Sequence, residues 1–122
     1  MKFVNFTKLL NSFRAALHGL TLSVKEQTIR IMIFITLLTV LLSIYLKINR
    51  IEQLIITFTI AIVLSLELLN TQIEKVLDVL KPTYDPKIKT IKDISAGAVL
   101  MSCLGAILIG ILIFLPYIRE LL

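Results

Sequence analysis

Apolar residues run in three long blocks along the chain, each broken by only a few polar positions. The first covers residues 31–46, where Thr36, Thr39 and Ser43 are mild polar breaks. The second runs from Leu54 to Ile73, with Glu67 and Asn70 in its later part. The third runs from Ile94 to Leu115 and is closed by Pro116. A bilayer core of about 30 Å is crossed by about 20 apolar residues in a helix, so each block predicts a membrane span. With their flanks, including an Arg30 that snorkels to the interface, the spans are set at 29–46, 52–80 and 87–118. Lys47-Ile48-Asn49-Arg50 forms a short polar turn between the first two. The second break, residues 81–87, is a loop containing Pro82 and Pro86. Proline lacks an N–H and disfavours helix before it, which makes this break firm.

Residues 1–28 have a different pattern. Phe6, Leu9, Leu10, Phe13, Leu17, Leu20 and Val24 recur at steps of three and four, while Lys2, Lys8, Arg14 and Lys25 lie mostly off that stripe. This predicts an amphipathic helix in the membrane interface, apolar face down and basic face towards anionic headgroups. There is no compact apolar stretch followed by a small-residue cleavage site, so the segment does not read as a signal peptide. The competing reading is a helix of a soluble core, but nothing soluble remains for it to pack on.

Composition agrees with the pattern. Of 122 residues 57% are hydrophobic and 17% charged, whereas a soluble domain is about 45–50% apolar and about 25% charged. Disorder is excluded by that balance, an intrachain disulfide scaffold by the single Cys103, and more than one domain by the length. The chain reads as one all-α integral-membrane domain, residues 1–122. Of the 13 Lys and Arg, only Lys47, Arg50 and Arg119 lie on the side opposite the N-terminus and the long loop. Counting positive charge therefore places the N-terminus and long loop in the cytoplasm and the C-terminus outside. The net charge of +5 is thus a topology signal and not one for nucleic acid.

The scarce acidic residues are more informative. An ionisable group inside a span is costly and marks function by default. Glu67 lies among Leu66, Leu68 and Leu69, and Asn70, Glu74 and Asp78 follow on the same helical stripe, which rises about 16 Å along the axis. Like charges on one line repel unless cations or donors intervene. The plainer reading takes Glu74 and Asp78 as solvated helix-end charges; it does not suit Glu67. Lys92 and Asp93 open the third span from the same side, Lys92 as a snorkelling anchor, counter-ion or phosphate clamp. Glu26 precedes the first span with Arg30 at i+4, so a local ion pair is the plain expectation.

Two interfacial carboxylates suit Mg²⁺, which takes one or two carboxylates together with substrate phosphates. A third carboxylate in apolar surroundings is a stronger base than one in water, which fits general-base work. With a lysine for phosphate oxygens, the set describes a phosphoryl-transfer site whose acceptor is a lipid hydroxyl. Only four glycines are present, none in a phosphate-binding loop motif. Two other readings stand beside this one: a small oligomeric channel lined by the Glu67, Asn70, Glu74 and Asp78 stripe, and a bilayer adaptor that recruits a partner through its basic N-terminal helix. Ala98, Ser102, Ala106 and Gly110 recur every four residues on the third span, a spacing that lets helices approach closely or that simply faces lipid. His18 reads as an interface residue and Cys103 as small apolar packing.

At these residues the chain resembles a known family. The run from Glu67 to Asp78, E-L-L-N-T-Q-I-E-K-V-L-D, is similar to the E-x-x-N-[ST]-x-x-E-x-x-x-D signature of prokaryotic diacylglycerol kinases. Lys92-Asp93-Ile-Ser-Ala-Gly-Ala-Val resembles the family's K-D-x-x-[AS]-[AG]-A-V, and Phe13 to Gly19 and Glu26-x-x-x-Arg30 resemble its N-terminal pieces. The resemblance covers residues 10–118. It implies an ATP-dependent lipid kinase of the bacterial cytoplasmic membrane with a surface helix and three transmembrane helices, working as a homotrimer with sites shared between subunits. It implies that Glu67 is the catalytic base and that Glu26 and Glu74 hold Mg²⁺ and the ATP phosphates. Lys92 and Asp93 would contact the nucleotide, as would Thr83, Tyr84 and Asp85 of the loop and Arg14 of the N-terminal helix, with Asn70 supporting the site. Gln72 stands where a small residue is usual. The family's two main substrates are diacylglycerol and undecaprenol, and the short basic chain with Ala96-Gly97-Ala98-Val99 looks more like the undecaprenol branch.

Overall fold

A computed structural model describes residues 3–122, so Lys2 of the predicted basic face lies outside the described residues. The described chain consists of four helices: α1 (Phe6–Ser23), α2 (Gln27–Leu46), α3 (Arg50–Leu80) and α4 (Pro86–Leu121). The last three are long and apolar enough to cross a membrane. The three helices cover the three apolar blocks expected as spans.

Local chemistry sets most boundaries. Asn5 caps α1 by accepting the Lys8 backbone N–H at 3.2 Å. The segment expected as one helix over 1–28 ends at Ser23, and a turn follows in which the Lys25 and Glu26 N–H groups bond Leu22 and Ser23 carbonyls. None of α1 is buried. Helix α2 closes on Lys47 at φ 54, with N–H bonds from Lys47 to Ile44 and from Ile48 to Ser43. That paired bonding satisfies the last carbonyls and turns Ile48 into the bundle, where it is buried. A reciprocal capping box between Asn49 and Glu52 starts α3. Asp85 caps α4, and Pro86 sits in its first turn, where the missing N–H costs nothing.

Pro116 does not close the third span. Helix α4 continues through it to Leu121. The fixed φ of proline is helical, so the cost is one lost hydrogen bond and local crowding, which membrane helices tolerate. The neighbouring residues offset it. Phe114 joins Ile48, Ile56 and Ile113 in a core cluster, Tyr117 packs against that cluster, and the Tyr117 hydroxyl donates to Glu52.

Helix α3 packs on α4 and, over a shorter stretch, on α2. Most large apolar side chains are exposed, as lipid-facing helices require. Between α2, α3 and α4 lies an apolar cavity of about 420 Å³, lined by residues such as Thr36, Thr39, Leu64, Cys103, Gly110 and Phe114. The small-residue stripe of α4 lies partly on it: Ala106 and Gly110 line the cavity, and a Cβ placed at Gly110 would meet nothing within 4 Å.

Candidate active site at the acidic end of α3

Four polar residues are buried among those described, and three of them are Glu67, Asn70 and Thr71. Glu67 is 6% exposed, although it is a carboxylate in an apolar helix. Thr71, one turn on, donates its hydroxyl to Glu67 Oε1 at 3.5 Å, a long contact. Asn70 Nδ2 donates to Glu74 Oε1 at 3.4 Å, while Asn70 Oδ1 is buried with no partner. Exposure rises along the stripe as the geometry predicts: Glu67 and Asn70 are buried, Glu74 is half-buried and Asp78 is exposed. An acceptor buried without a donor costs about 1–3 kcal/mol, and Asn70 Oδ1 is such an acceptor within this chain.

The expected neighbours arrive as ion pairs. Lys75 of α3 pairs with Glu26, and Lys92 of α4 pairs with Asp78. Lys81 pairs with Asp85, and Lys89 with Asp93 at 2.7 Å. The local Glu26–Arg30 pair does not form. Arg30 donates instead to the Val24 and Lys25 carbonyls, at 3.4 and 3.1 Å, because the elbow after α1 leaves carbonyls without helical partners. Glu26 is thereby free to reach α3. Lys92 therefore acts as counter-ion to Asp78 here.

A second hollow of about 310 Å³ lies where α3, the loop and α4 meet. It gathers Thr83, Tyr84, Asp85 and Lys92 with Asp78, and adds Lys81 and Lys89. Lys81 and Lys89 precede Asp85 and Asp93 by four residues, a spacing visible in the sequence. Thr71, at i+4 from Glu67, was legible in the same way. Asp93 does not line this hollow, and Arg14 is exposed on α1. The Lys81 ammonium, with the Lys87 backbone N–H at 2.8 Å, holds the Asp85 carboxyl below its ordinary range.

No group of three or more His, Cys, Asp and Glu side chains gathers around one point among the described residues. Magnesium does not require one, since phosphates and waters complete its shell. Glu26 and Glu74 supply the hard oxygens it prefers. The Glu26 carboxylate is paired with the Lys75 ammonium, on the residue next to Glu74. The residues fit the ion.

Residues 14–114 match the family model described as prokaryotic diacylglycerol kinase. Over 70 residues, 57% of this chain, the sequence is 43% identical to a Bacillus subtilis protein named undecaprenol kinase. Over 116 residues, 93% of this chain, it is 33% identical to a Synechocystis protein named diacylglycerol kinase. The matched parts span 57% and 66% of those relatives' own lengths.

Proposed function

The chain belongs to the prokaryotic diacylglycerol kinase family, and from that premise we propose that it transfers the γ-phosphate of ATP to a membrane lipid alcohol. The observation that carries this reading is Glu67, a carboxylate buried in an apolar helix of membrane-spanning length, on the same helical stripe as Asp78 at the rim of a lysine-lined hollow. Glu67 accepts the proton of the lipid hydroxyl. The hydroxyl oxygen attacks the γ-phosphorus, the bond from that phosphorus to the bridging oxygen breaks, and ADP leaves. Positioning and electrostatics do most of the work in such a transfer.

Glu26 and Glu74 would hold Mg²⁺, which when bound neutralises charge on the phosphates. Asn70 orients Glu74 through its amide and offers its free Oδ1 to a bound water. Thr83, Tyr84, Asp85 and Lys92 take the nucleotide, with Lys81 and Lys89 adding positive charge and Asp93 and Arg14 as further contacts. The N-terminal helix lies in the cytoplasmic interface, its exposed Phe6, Leu10 and Phe13 in lipid, and the working unit is a homotrimer in the bacterial cytoplasmic membrane. No observation favours a cation path.

Of the two lipids we favour undecaprenol, on the Bacillus relative's name and the branch-like Ala96-Gly97-Ala98-Val99. The test is reconstituted protein given Mg²⁺-ATP with undecaprenol or diacylglycerol separately, followed by lipid phosphate. Product from undecaprenol at the higher rate supports the assignment. Product mainly from diacylglycerol reverses it, and product from neither, with folded protein, contradicts the kinase reading.

A further inference from the structure

Glu26 is the N-cap residue of α2 and makes no side-chain capping bond. A capping carboxylate is ordinarily drawn to the N–H groups of its own helix. Here it is drawn away, across 49 residues of sequence, to the ammonium of Lys75. Lys75 directly follows Glu74 on α3, so the side chains of residues 74 and 75 point about 100° apart around the helix. Glu74 faces Asn70, and Lys75 faces the elbow after α1. The ammonium thus occupies Glu26 from the side of the turn that also carries Glu74.

The pair is partly open to water: the two side chains are 56% and 35% exposed. Pairs of this kind are weak, because solvent screens them and holding a lysine costs side-chain entropy. A weak monovalent partner on a half-open carboxylate is an exchangeable one. It keeps Glu26 turned towards α3, yet it yields to an ion of higher charge.

We propose that Lys75 is a stand-in cation, holding Glu26 in position until a divalent metal arriving with the nucleotide displaces it. Lys75 is a positioning residue in this account, because it acts through Glu26 and touches no reacting atom. The inference rests on Glu26 being a metal ligand, as argued above. Its consequence is a sign: removing the ammonium removes a competitor, so the metal should bind more tightly.

The test is equilibrium dialysis of the full-length protein in lipid nanodiscs with β,γ-methylene-ATP, in EDTA and in Mg²⁺. The ratio of the two dissociation constants isolates the metal's contribution from that of nucleotide charge. Lys75→Met, which keeps the apolar stem, should raise the ratio by up to about fivefold, the limit an exposed pair allows. Lys75→Gln should give the same rise, and Lys75→Arg should restore the parent ratio. In a Glu26→Gln background, Lys75→Met should change nothing. A ratio that stays flat or falls in both neutral variants overturns the proposal, as does a rise that persists with Glu26→Gln. The single variant Glu26→Gln separates the two failures. If it lowers the ratio while Lys75→Met leaves it flat, only the stand-in role is wrong. If it leaves the ratio unchanged, Glu26 is not a metal ligand, and the metal-site reading fails together with the inference.

Discussion

The Tyr117 hydroxyl of α4 donates to the Glu52 carboxylate of α3, and the same carboxylate oxygen accepts the Asn49 backbone N–H at 3.3 Å. One side chain thereby joins the capping box that starts α3 to the turn of α4 just beyond Pro116. The contact lies at the end of the bundle remote from Glu67. Tyr117→Phe is expected to lower the thermal unfolding midpoint in detergent by a few degrees. The KM for ATP should not move. A change in KM without a change in midpoint would mean that this clasp communicates with the site.

Asn70 gives the opposite pattern. Its Oδ1 is buried and unpartnered, and its amide reaches Glu74 at 3.4 Å. Asn70→Ala removes an unsatisfied group, so little stability should be lost. Phosphoryl transfer should fall by about tenfold to a hundredfold, the worth of one hydrogen bond to a charged group. Rates on reconstituted protein, set beside its unfolding midpoint, check both halves.

Asp85 carries an acid-side prediction. Its folded carboxyl titrates below the ordinary value of 3.8, chiefly because Lys81 donates to it. A lowered folded value means that the folded chain binds fewer protons than the unfolded one, so stability rises with pH through that window. The contribution is present above pH 3.8 and is lost as pH falls through the folded value. Amide exchange in the first turn of α4 should quicken over that fall. In Asp85→Asn the acid step should vanish, and exchange should be faster at neutral pH.

Assembly is tested on the stripe of small residues. Within one chain a Cβ at Gly110 meets no atom within 4 Å and the position borders the apolar cavity, so Gly110→Leu should leave the helix and the monomer intact. If a neighbouring subunit's helix approaches there, native mass spectrometry should show loss of the homotrimer proposed above. A trimer that persists places the subunit contact elsewhere.

The three spans were legible because their apolar runs are long and their ends carry ordinary signals, such as Asn49 with Glu52 and Asp85 before Pro86. Pro116 misled because proline ends helices in water more readily than in a bundle where Phe114 and Tyr117 hold both sides of it. The stripe from Glu67 to Asp78 was readable from spacing alone, and so was its burial gradient. The pairing of Glu26 was not. Arg30 at i+4 offered a local partner, and only the fold shows that Arg30 is taken by the Val24 and Lys25 carbonyls. Contacts between distant segments, Glu26 with Lys75 and Asp78 with Lys92, depend on how helices pack, which periodicity does not encode.

The central claim is that Glu67 takes the proton of the lipid hydroxyl. The direct measurement compares Glu67→Gln with the parent in the same bilayer, following lipid phosphate and binding of β,γ-methylene-ATP with Mg²⁺. Glutamine keeps the shape and removes the base, so phosphorylation should fall by at least about a hundredfold, within the range general-base catalysis supplies, while nucleotide binding and oligomeric state hold. A Glu67→Gln protein that phosphorylates lipid at near the parent rate would contradict the account.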